Sequence, residues 1–210
     1  MVVGEPGARS GRGQLVSQDS DSLWVQRTLA GDPQAFGELV QRYERDVFNL
    51  AYRMLSERGE AEDAAQEAFM RAYSNLDRYD MERPFKTWLL SITSNHCIDR
   101  LRRRRLIWLS LEEPLPPHPA LTSDIPGPEE EALTHERNVL VQEMLADLSP
   151  DYRLAVVLRY WYDMSYAEIA EMLDTTESAI KSRLFRARQA LADYLDAQPA
   201  SARERVMEGS

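Results

Sequence analysis

Apolar residues recur along much of this chain at the three-and-four spacing that places them on one face of a helix. Phe36, Leu39, Val40, Tyr43, Val47, Leu50, Ala51 and Met54 form one such stripe. Asp32 followed by Pro33 supplies an N-cap and a proline at the first helical position, where that helix should begin. A second helix is predicted over 61–76, and a third from Phe85, behind Pro84, to the arginines ending at Arg105. No strand-like alternation and no internal repeat interrupts this pattern. Residues 1–20 are poor in apolar side chains and read as a disordered arm.

The pattern stops between 106 and 136. Six of the eleven prolines fall there (Pro114, Pro116, Pro117, Pro119, Pro126 and Pro128), together with seven acidic residues. Prolines that dense remove backbone donors and fit neither a helix interior nor a central strand. Helical spacing resumes at 137 and lasts to about 196, before a polar tail over 197–210. The chain therefore reads as all-α, with helical domains over 21–105 and 137–196 joined by a flexible, proline-rich acidic linker.

Within the second domain, Ser165 and Glu168 have the spacing of a capping box, in which each side chain satisfies the other's backbone N–H. The short helix they start carries Ile169, Met172 and Leu173. Asp174, Thr175 and Thr176 then break it, and a further helix places Ile180, Leu184, Ala187 and Leu191 on one side. Two short helices about so brief a turn have the form of a helix-turn-helix. Opposite the apolar stripe lie Ser178, Ser182, Phe185, Arg186 and Gln189, flanked by Lys181 and Arg188. A phenylalanine among serines and cations suits a DNA major groove, where the ring meets a thymine methyl and arginine reaches guanine. The competing reading is a solvated basic face, with Phe185 packed on a neighbouring helix.

Charge refines the picture. The net charge of −10 argues against a uniformly basic DNA binder. It is unevenly placed, though: Arg100, Arg102, Arg103, Arg104 and Arg105 cluster without an acid among them, and Lys181, Arg183, Arg186 and Arg188 face Glu177 alone over 176–190. Conversely, 57–67 holds five acids against Arg58. Salt screens charges beyond about 8–10 Å, so these local patches matter more than the total. Two basic surfaces and an acidic one imply two kinds of partner. A helix end favours cations, but five arginines exceed that need, and phosphate contact accounts better for them. The acidic segment, taken alone, also fits a plain solvated face. Phe69 and Tyr73, four apart, read as core, as does the stripe of Phe85, Trp88, Leu89 and Ile92. Beyond Asn95 the apolar positions shift to Ile98 and Leu101, so the helix either changes neighbour or breaks.

The motifs together resemble those of the extracytoplasmic-function sigma factors of the sigma-70 family. LSPDYRLAVVLRY (148–160), SYAEIAEML (165–173) and AIKSRLFRAR (179–188) are similar to their region 4; AEDAAQEAFMRAY (61–73) and FKTWLLSITSNHCIDRLRRRR (85–105) are similar to successive parts of their region 2. The resemblance implies a factor that binds core RNA polymerase, recognises the minus-ten and minus-thirty-five promoter elements and promotes transcription initiation. It assigns Asp63, Gln66, Glu67 and Phe69 to the polymerase-binding segment. Asn95 would help capture a flipped minus-ten base, with Arg100, Arg102 and Arg103 on the DNA backbone. Ser178, Lys181, Ser182, Phe185, Arg186 and Arg188 would meet the minus-thirty-five groove. An anti-sigma factor wedged between the two domains is a further implied partner. Two departures stand out: Asp174 replaces a usual turn glycine, which aspartate's tolerance of left-handed backbone allows, and Thr93 stands where alanine is common.

Alternatives remain: a free-standing dimeric helix-turn-helix regulator, or a sigma mimic that sequesters an anti-sigma factor. Neither explains both the polymerase-binding motif and the arginine cluster. Enzyme chemistry has little support. His96, His118 and His135 share no metal-ligand spacing, no phosphate-cradling glycine loop occurs, and no cofactor or metal is expected. The lone Cys97 excludes an internal disulfide, and no apolar run is long enough to span a bilayer. A cytoplasmic protein is the expectation.

Overall fold

The computed structural model describes residues 11–110 and 129–197, and the side chains of 20–105 and 138–197. The arm's first ten residues, the linker's prolines with His118, and the tail from 198 lie outside the described residues, as does the side chain of His135.

Every regular element among the described residues is helical: α1 (Gly11–Leu29), α2 (Pro33–Leu55), α3 (Arg58–Ser74), a 3-10 turn (Leu76–Arg78), α4 (Phe85–Ser110), α5 (Glu129–Asp147), α6 (Pro150–Trp161), α7 (Tyr166–Met172) and α8 (Glu177–Ala197). The all-α expectation holds. Helix α1 starts inside the segment read as a disordered arm. Val25 and the buried Asp21, which accepts from Tyr43 Oη at 2.5 Å and Arg42 at 2.7 Å, pin its second half to α2, and helix propagates outward from there. At the linker's edges, α4 continues to Ser110 and α5 opens at Glu129.

Helix α2 begins where Asp32 accepts from Gln34 N at 3.1 Å, with Pro33 in the first turn. Its whole stripe, Phe36 to Met54, is buried apart from the partly covered Val40. The helix ends at Ser56, whose φ of 63° is left-handed and turns the chain into α3. Glu57 then caps α3, accepting from Gly59 N at 2.8 Å and Glu60 N at 2.6 Å.

Two apolar cores result. One lies within the first domain, around Leu39, Tyr43, Val47, Ala68, Phe85 and Leu89. The other runs across the domains: Leu50, Met54, Leu90, Cys97 and Ile98 pack in one cluster with Leu145, Leu154, Leu158, Ile169 and Ile180. Helix α4 therefore changes neighbour without breaking, because its first half faces α2 while Ile98 and Leu101 face the shared core. No helix is long and apolar enough, among the described residues, to cross a membrane.

Candidate nucleic-acid interface

The helix-turn-helix is built by short-range hydrogen bonds. Ser165 Oγ accepts from Glu168 N at 3.2 Å and Glu168 Oε2 accepts from Ser165 N at 2.7 Å, closing the capping box that starts α7. Hydrogen bonding from the Ser165 hydroxyl, and then from the Ser165 backbone N–H, holds the Glu168 carboxyl below its usual range. Asp174 takes a φ of 48° in the turn, the left-handed conformation expected of it. Thr175 N donates to Ala170 O at 2.9 Å, and Thr176 Oγ1 accepts from Ala179 N at 3.2 Å at the start of α8.

With Ile180, Leu184 and Ala187 buried, the opposite side of α8 faces outward. Ser178, Lys181, Ser182, Phe185, Arg186 and Arg188 are all exposed and line one open depression. Phe185 is 62% exposed, which rules out the alternative in which it packs on a neighbouring helix. Arg186 donates from Nη1 to Tyr152 Oη at 3.3 Å, and Lys181 lies 3.9 Å from Glu177. Both contacts are exposed, where ion pairs contribute little and yield readily to a phosphate.

The arginine cluster differs from its sequence impression. It carries no acid of its own, yet the fold brings acids to it: Arg100 lies 3.8 Å from Glu60 and 3.7 Å from Asp63, and Arg104 also pairs with Glu60. Arg102 lies 3.6 Å from Asp151 of α6. Of the three arginines assigned to DNA backbone, only the exposed Arg103 has no ion pair among the described residues. Asn95 is exposed on the same helix, while its neighbours Thr93 and Ser94 are buried. The Thr93 hydroxyl is satisfied within the helix, donating to Leu89 O at 2.9 Å. Burial lowers the His96 pKa, and its Nε2 has no partner.

On α3, Asp63, Gln66 and Glu67 share a face three and four residues apart. Asp63 and Gln66 are exposed, and Glu67 is half-exposed and hydrogen-bonded to Arg71 at 2.7 Å, which holds its carboxyl below the usual range. Phe69 is partly buried against the first core. Tyr73, read as core, is instead 49% exposed, its ring meeting Phe36 edge-on at 5.1 Å. Sequence reasoning missed Met70, which is 66% exposed and continues the acidic face at the seventh position from Asp63. It also missed Gln142, Arg153 and Tyr162, whose partners lie in the first domain. The available signal was a lone arginine, Arg153, adjoining the apolar run from Leu154 to Leu158. No group of three or more His, Cys, Asp or Glu suited to a metal occurs among the described residues.

The chain matches the family description "Sigma-70 region 2" over residues 39–107 and "Sigma-70, region 4" over residues 138–191. It is 36% identical to the ECF RNA polymerase sigma factor SigW of Bacillus subtilis, over 81% of this chain and 94% of that protein. The ECF RNA polymerase sigma-E factor of Escherichia coli is 33% identical, with 84% and 95% covered. Among solved structures, CnrH in complex with the cytosolic domain of CnrY aligns with a TM-score of 0.62 and 27% identity, covering 86% of this chain and 99% of that one. With both regions in order, outward-facing candidate surfaces in each and full-length relatives on this scale, the chain belongs to the ECF RNA polymerase sigma factors.

Proposed function

We propose that this protein binds core RNA polymerase through α3, reads the minus-thirty-five element with α8 and the minus-ten element with the Asn95 side of α4, and so starts transcription at chosen promoters. The observation that carries this reading is the outward face of α8, where an exposed phenylalanine, two serines and three cations form one surface. Phe185 and Arg186 meet base edges there, and Lys181 and Arg188 hold phosphates. Asp63, Gln66, Glu67 and Met70 form the polymerase contact, with Phe69 supporting it from beneath. Arg100 and Arg102 exchange their carboxylate partners for minus-ten phosphates, and Arg103, unpaired among the described residues, meets phosphate directly, a step favoured by counterion release.

The functional units span 21–105 and 137–196, and the first domain's acidic helix and the second domain's basic helix address different partners. The protein supplies binding and positioning, while the polymerase performs the chemistry, and both work in the cytoplasm. An anti-sigma factor is a further partner, consistent with the likeness to CnrH, which was solved with a second protein's cytosolic domain. Transcription in vitro with core polymerase and a promoter library tests the reading. Start sites that require this chain, sharing two sequence elements, are expected. Transcripts identical with and without it would refute the proposal.

A further inference from the structure

Arg186 stands on α8 between Leu184 and Ala187, whose burial fixes that helix against α6. Its Nη1 donates to Tyr152 Oη, 3.3 Å away, and this hydrogen bond pushes the Arg186 pKa further up. Tyr152 lies in the first turn of α6, with its ring partly buried against the core that holds Leu154 and Ile180. That turn is well anchored. Pro150 occupies its first position, Arg153 N donates to Ser149 O at 2.9 Å, and the buried Arg153 guanidinium donates to Ala146 O. A phenol on a fixed turn thus reaches a flexible guanidinium on the neighbouring helix.

A phenol suits this position better than an acid would. Lys181, on the same face of α8, lies 3.9 Å from the Glu177 carboxylate, which offsets part of its charge. Tyr152 is neutral and leaves the Arg186 charge whole. The bond also occupies only one part of a guanidinium that has five N–H donors. Nε and Nη2 share the other edge of the group and have no partner among the described residues. Two donors side by side on one edge are what guanine O6 and N7 accept. Arg186 can therefore read a base without giving up Tyr152.

Between exposed groups 3.3 Å apart, the bond is long and adds little to stability. What it changes is direction. A free arginine side chain loses rotamer freedom when it docks, and a partner that already holds one orientation spares part of that loss. Ser149, Asp151, Tyr152 and Ser182 line one depression with Arg186. Asp151 brings a carboxylate to it, toward which a guanidinium released by Tyr152 is free to turn, away from DNA.

We propose that Tyr152 is a specificity-determining positioning residue, whose hydroxyl holds the Arg186 guanidinium in the orientation that reads the upstream element without itself touching DNA. The proposal rests on the sigma-factor reading of α8 and adds to it a residue from outside the recognition helix.

The test uses core polymerase with the full-length chain, as wild type or carrying Tyr152→Phe, Arg186→Ala or both, transcribing templates randomised over the upstream element. Tyr152→Phe removes one oxygen and keeps the packed ring, so helical circular dichroism and melting temperature should stay at wild-type values. The variant should lose discrimination several-fold at the same base pair that Arg186→Ala relaxes, with an unchanged salt slope. In the Arg186→Ala background it should add nothing, because residues that act through one another are not additive. A lower folded fraction would reduce use of all sequences alike and leave the ratio between bases untouched. An unchanged ratio at that position, whether or not overall use falls, would therefore overturn the proposal, as would an effect that adds in full to that of Arg186→Ala. A wild-type chain that directs core polymerase to no start site would instead sink the sigma-factor reading, and the positioning role with it.

Discussion

Arg153 on α6 donates from Nη1 to the backbone carbonyl of Met54 on α2, and from Nη2 to the carbonyl of Ala146 at 2.5 Å. One guanidinium thus ties the end of a first-domain helix to the last turn of α5. Burial draws its pKa down to about 10, which still leaves it charged at neutral pH. Arg153→Met keeps an apolar stem in place but strands those acceptors away from water, at about 1–3 kcal/mol each. Urea unfolding followed by circular dichroism should show the midpoint fall. An unchanged midpoint would mean that water reaches the carbonyls.

The capping box that starts α7 makes a local prediction. Ser165→Ala removes the acceptor for Glu168 N and should destabilise the second domain by about 1 kcal/mol. Ser165→Asp, which retains an acceptor, should recover most of that. Melting temperatures of the three proteins measure it, and equal values for alanine and aspartate would show that the cap contributes nothing.

Base reading and backbone holding on α8 separate by mutation. Arg186→Ala should cost about 1–3 kcal/mol at the preferred upstream sequence and relax discrimination at one base pair. Arg188→Ala should weaken all sequences alike and reduce the salt slope by about one. Binding of both variants to a randomised upstream element at several salt concentrations distinguishes the roles. Uniform loss for Arg186 would place it on phosphate.

Reversing charge at Asp63 and Glu67 should weaken capture of core polymerase while leaving the fold intact, because exposed charges contribute little to stability. Met70→Ser should have a similar effect on capture, as an exposed apolar side chain gains by burial at an interface. Pull-down of core enzyme at wild-type strength by both variants would remove α3 from the contact.

His96 links stability to pH. Burial, followed by Arg71, lowers its pKa in the fold, so the folded imidazole stays neutral while the unfolded one takes up a proton near pH 6.5. The unfolded state then binds more protons, and stability falls as pH drops through about 6.5 toward the lowered folded value. His96→Gln should flatten that part of the profile. Urea midpoints at pH 7.5 and 5.5 check it, with equal slopes for both proteins as the contrary result.

Most helices, the caps of α2 and α7 and the family were legible in the residues themselves because each depends on neighbours close in sequence, whereas the start of α1 in the predicted arm was not. The stripe from Phe36 to Met54, the Asp32–Pro33 start, the Ser165–Glu168 box and the left-handed Asp174 all involve spacings of a turn or two. The outward face of α8 followed from the same periodicity, since burying Ile180, Leu184 and Ala187 leaves Phe185 and Arg186 outside. Tertiary structure alone decided what spacing cannot encode. Glu60 and Asp63 meet Arg100 across two helices, Asp151 meets Arg102 across two domains, and Gln142 reaches Tyr52 from ninety positions away. Helix α4 likewise keeps one axis, but past Ile92 its buried apolar residues, Cys97 and Ile98, belong to the shared core, because a second domain lies there to cover them. Hydrogen bonds and ion pairs of that kind select partners by distance in space, and no periodicity along the chain records them.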